Sequence, residues 1–140
     1  MRDDPASRSF QALREEHFDY LCRQLTLSET TSRGGVGFAI VSAVAGNVRV
    51  FFEHDRGICN FGLGSTTDAR PLCSVDEIAQ RFSPTRVLTE GVLRLSLDEQ
   101  RSFVESHWSE LQRMFAPEHL GETRAWHAAL VTANNRWRGP

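Results

Sequence analysis

The side chains able to do chemistry in this chain are three cysteines and five histidines, and their spacing limits what they can do. Cys22, Cys59 and Cys73 are odd in number and far apart, with no CxxC pair, so neither a redox motif nor a zinc knuckle is indicated. His17 stands five residues before Cys22, and His54 five before Cys59, which is not ligand spacing on a helix or a strand. His119 and His127 are eight apart and could share a helix face, but two imidazoles without a carboxylate make a poor centre. The expectation is no metal, no cofactor and no assigned catalytic residue. Among the thiols, only Cys73 directly precedes a helix start, where the helix dipole favours the thiolate. It is the candidate reactive thiol.

Phosphate chemistry finds no footing either. Gly34-Gly35-Val36-Gly37 leads into a strand, so no helix N-terminus faces an anion there. Gly62-Leu63-Gly64-Ser65-Thr66-Thr67 follows a strand but lacks the lysine of a Walker loop. All 16 basic residues are arginine. Schiff-base, P-loop and general-base lysine chemistry are therefore excluded. No G-x-S-x-G and no H-E-x-x-H occurs. The remaining candidate is Glu53-His54-Asp55-Arg56, a set of charges at a hairpin tip, where rigid presentation steers a partner and fixes its register.

The elements that must carry these residues follow from apolar periodicity. Phe10, Leu13, Phe18, Leu21 and Leu25 recur at three- and four-residue steps, predicting an amphipathic helix over about 8–26. Ser28 to Gly35 reads as a polar loop. Short β-branched and apolar runs then predict an antiparallel meander at about 36–44, 47–54 and 58–63, with a fourth strand pair open at 85–95. The turn at His54-Asp55-Arg56-Gly57 reads as type I with a bulge. Ser74-x-x-Glu77 and Ser96-x-x-Glu99 are capping-box starts. Ser83-Pro84 should end the first of these helices. Pro117 suits the first turn of a last helix, in which Trp126, Ala129, Leu130, Ala133 and Trp137 form one stripe. Trp137, near the chain end, is expected to be partly exposed.

Size and charge bound the rest. At 140 residues, 40% hydrophobic and 24% charged, the chain reads as one α+β domain over 8–137, with a disordered 1–7 and a 138–140 tail. A net charge of −2 with scattered arginines argues against nucleic acid. No apolar run reaches the roughly 18 residues of a membrane span. The first ten residues lack the apolar core of a secretory signal, so the expected location is cytoplasmic.

FDYL in the first helix, the meander with RVFFEHDRGICNFGLG and the helix LDEQRSFVESHWSELQRMFAPEH resemble a group of small bacterial proteins of immunity type. The resemblance implies an α-β-β-β-α-α order and a non-enzymatic protein that binds and occludes a protein partner. It carries over no functional residue. Two alternatives stand beside it: a small enzyme or ligand-binding protein with a pocket between sheet and helices, and a homodimer joined through an open sheet edge or the last helix.

Overall fold

The computed structural model of the chain describes residues 9–82 and 94–137, and side chains of the last helix as far as residue 133. The expectations for 1–7, 83–93, 138–140 and the side chain of Trp137 fall outside these residues. The first helix, α1 (10–25), starts at Ser9, whose hydroxyl accepts the Ala12 N–H at 3.2 Å. Its middle, Arg14–Phe18, is a π-helical turn in which the Asp19 N–H reaches back five residues to the Arg14 carbonyl. The wider turn lets two consecutive residues, His17 and Phe18, both point inward and be buried.

Five antiparallel strands follow in simple order: β1 Ser28–Gly35, β2 Phe38–Ala45, β3 Val48–Asp55, β4 Ile58–Ser65 and the two-residue β5 Cys73–Ser74. The α+β meander stands, but Ser28–Gly35 is a strand, not a loop. Every residue of β1 is exposed, so it shows none of the apolar alternation by which a half-buried strand is recognised. Val36, expected in a strand, sits in the turn between β1 and β2. The β3–β4 turn also differs from expectation. Asp55 pairs directly with Ile58, leaving only Arg56 and Gly57 between the strands, both at positive φ (53° and 84°). That is a two-residue type I′ turn, whose twist matches the flanking strands without a bulge.

One face of the sheet is packed under the helices, while on the other only part is covered, with Ser42 and Phe51 buried beside the loop that follows β4. Val41, Ala43, Val48, Val50, Phe52, Phe61 and Leu63 form the core with Phe18 and Leu21 of α1. Phe52 is its centre, stacked on Phe10 at 5.6 Å and Phe18 at 6.4 Å and tilted against Phe61 at 4.9 Å. The remaining helices are α2 Val75–Phe82, α3 Leu97–Ser106, α4 Trp108–Met114 and α5 Pro117–Trp137. Val75, Ile78, Val104, Leu111 and Phe115 from these helices or their ends complete the core. Both expected capping boxes are formed. Ser74 Oγ accepts from the Glu77 N–H while Glu77 accepts from the Ser74 N–H, and Ser96 and Glu99 repeat the arrangement.

The stripe foreseen on α5 is only partly packed. Trp126 and Leu130 are half-buried, but Ala129 and Ala133 are exposed, and among the described side chains of the helix the buried one is Thr123. Its hydroxyl donates to the Met114 carbonyl at 2.6 Å, which fastens the start of α5 to the end of α4. Leu120 and Trp126 pack against the edge of the core.

Candidate functional site

The opposite sheet face carries the candidate site. Alternation along β3 puts Phe51, Glu53 and Asp55 on this face and Val50, Phe52 and His54 on the helix-covered one. The four tip residues therefore do not act as one set. His54 lies 5.9 Å from the Phe10 ring on the helix side. Glu53 and Asp55 look out from the other face, and Arg56 projects from the turn, 3.9 Å from Asp55 and 90% exposed. The row across the sheet at this level is Phe38, Asp55 and Ile58, because Asp55 pairs with both neighbours.

These neighbours are the feature that sequence reasoning missed. The large hydrophobic side chains exposed among the described residues are Val36 at 105%, Phe38 at 45%, Ile58 at 64% and Val131 at 39%. Val36 occupies the β1–β2 turn, which touches the β3–β4 turn through a 3.0 Å bond from the Arg56 N–H to the Gly37 carbonyl. Val131 of α5 lines the same depression as Ile58. All four thus collect at one end of the molecule. A lone exposed apolar residue needs no explanation, whereas a gathered set does.

From this end, shallow depressions run across the open face. One of ≈ 470 Å³ is lined by Arg33, Gly34, Phe38, Ile40, Glu53, Arg70 and Pro71. It shares Glu53, Arg70 and Pro71 with a second of ≈ 580 Å³ that extends to His127 and Val131. The loop 66–72 forms one wall. It is held down by Arg49, which donates to Ser42 Oγ and the Thr66 carbonyl, and by Asp68, which accepts from the Ser65 N–H and from Arg124. Arg33 and Arg70, by contrast, make no ion pair or side-chain hydrogen bond among the described residues. Glu53 is half-buried, and burial, then the Asp55 carboxylate, push its carboxyl pKa above the ordinary range.

The thiol expected to be activated is held in the opposite state. Cys73 is 3% exposed. Burial, Glu77 and Asp68 all drive its pKa far above that of a free thiol, overriding any helix-dipole effect. The fold does bring Cys73, Glu77 and His127 to one depression. Yet His127 Nε2 is spent on both Glu77 oxygens, at 3.2 and 3.3 Å. The carboxylate beside the thiol opposes a thiolate, so this is no cysteine–histidine nucleophile. Cys22, pushed up to about 11, and Cys59, also raised, are desolvated as well.

One polar cluster could hold a cation by composition: Glu16, His17 and Asp98. It joins α1 to α3, which no local spacing could reveal. The position of positive charge is already taken by Arg101. Its guanidinium lies 3.3 Å from Asp98 Oδ1 and 3.4 Å from His17 Nδ1, and donates to the Glu16 carbonyl at 3.1 Å. His17 Nε2 meets Glu16 Oε2 at 2.8 Å. The two ring nitrogens face different partners, Nε2 towards Glu16 and Nδ1 towards Arg101 and, at 3.9 Å, Asp98, so the cluster is a helix-to-helix tie.

No protein-family model, curated protein or solved structure matches the chain. Among the described residues no helix is long and apolar enough to cross a membrane.

Proposed function

We propose that this protein is a non-enzymatic protein-binding module of immunity type, which neutralises a protein partner by covering part of its surface with the open sheet face and hairpin tips. The observation that carries the reading is the gathering of Val36, Phe38, Ile58 and Val131 at one end of a rigid sheet. Around them stand Arg33, Arg70, Glu53, Asp55 and Arg56, a rim of both signs. An apolar centre with a charged border is the anatomy of a recognition surface, where the centre supplies affinity and the charges supply register. The depressions are shallow and open, and the thiols near them are held neutral. Both fit a surface that docks a macromolecule better than a pocket that converts a small one.

The test uses Ile58→Ser and the paired reversal Asp55→Arg/Arg56→Glu, at exposed positions where the fold should survive. Wild-type protein should retain one stoichiometric protein from native lysate. Each variant should lose about tenfold or more in affinity for it, the effect of removing an interface anchor, with an unchanged melting temperature. Undiminished capture by both variants overturns the reading. So does the absence of any partner together with a stoichiometric co-purifying metabolite.

A further inference from the structure

The two edges of the sheet are treated differently. Beyond β4 lie β5, the Leu72 N–H bonded to the Leu63 carbonyl, and the Gln100 side chain bonded to the Phe61 N–H. That edge is occupied. Beyond β1 there is nothing among the described residues, and all eight of its positions are exposed. In an antiparallel pair one residue in two turns its N–H and C=O outward, so β1 offers an unused ladder.

The charges on this strand point to what fills it. β1 carries one acid, Glu29, and one base, Arg33, and neither has an ionic partner among the described residues. They are four residues apart, with the register irregularity between Ser28 and Thr31 falling at Glu29, and no ion pair joins them. Thr31 lies midway between them. If a second β1 runs antiparallel with Thr31 opposite Thr31, Glu29 of each strand faces Arg33 of the other. The strand is its own charge complement in that register. Glu29 also has φ 55° and sits where the β1–β2 register slips between Ser28 and Thr31. It therefore falls at a bulge, off the internal ladder and uncommitted to β2. At the other end a Cβ on Gly35 would lie 2.6 Å from Phe38 Cε1, so the Phe38 ring is laid across Gly35 towards the free edge. The same register brings that ring beside the Ser28 end of the second strand, adding apolar contact to the backbone ladder.

We propose that two copies of this chain join through β1, antiparallel and centred on Thr31, to form one continuous ten-stranded sheet. This goes beyond the recognition reading, with which it shares Arg33 and Phe38, and its readout is oligomeric state rather than partner capture, so the failure of one is distinguishable from the failure of the other. Light scattering on the intact chain at high micromolar concentration should give twice the mass of 15.8 kDa. Glu29→Arg and Arg33→Glu, each alone, set like charges opposite one another at two symmetric places. Each should raise the dissociation constant about tenfold or more. The double variant Glu29→Arg/Arg33→Glu should restore the dimer, and mixing the two single variants should produce a heterodimer. A wild-type protein that stays monomeric at every concentration overturns the proposal, as does a dimer that both single variants leave intact.

Discussion

At Gln100 a side-chain amide takes the part of a neighbouring peptide group. Its Oε1 accepts the Phe61 N–H at 2.8 Å, and its Nε2 donates to Asn60 Oδ1 at 3.2 Å and the Leu95 carbonyl at 3.0 Å. With 2% exposure and those three bonds made, the residue is nearly fully satisfied. Gln100→Ala would strand the Phe61 N–H, and we expect a loss of about 2 kcal/mol in urea unfolding. Gln112 does the same for the β2–β3 turn, accepting from the Asn47 N–H and donating to the Ala45 carbonyl. Glu53 presents the reverse case. A carboxyl whose folded pKa is raised above its unfolded value supports folding while protonated, and that contribution is lost as pH climbs through the folded pKa. Glu53→Gln should therefore melt higher than wild type at about pH 7 and equal it at about pH 3.5, where both side chains are neutral. For the thiols, burial sets reactivity. Cys73 should resist alkylation at neutral pH until the protein unfolds, as mass spectrometry with and without denaturant can show.

The elements differ in how much their local sequence specifies them. Removing either capping hydroxyl, Ser74→Ala or Ser96→Ala, should cost about 1 kcal/mol by chemical denaturation. The serine–glutamate pairs that predict this effect also made both helix starts legible, because a cap is a local bond between residues three apart. β2 to β4 were legible for a related reason, since burial on one face enforces apolar residues there. β1 was not, because an edge strand exposed throughout is free to be polar, and SETTSRGG is indistinguishable from a loop until its partner is placed. The π turn in α1 left no local signal either. The proposed binding surface was half visible: Glu53 to Arg56 could be assigned to a tip. That Phe38 and Ile58 stay exposed depends on what lies across the strands, and Val131 arrives from a helix far along the chain. Alternation alone, applied to β3, separates His54 from Glu53 and Asp55.

Taken whole, the molecule is a sheet with helices on one face, one end dressed in exposed apolar residues, and two unlike margins. That inequality bears on how the protein behaves in a crowded solution. Strand-by-strand polymerisation requires each copy to offer a donor margin and an acceptor margin, so that β1 of one molecule can add to β4 of the next without end. Here β5 and the Gln100 amide act as a chain terminator on one margin, leaving association through strands only the reciprocal, self-closing route. The fold thereby carries its own limit on growth. Gln100→Ala should weaken that limit as well as the fold, and time-resolved light scattering would register it as species larger than two chains.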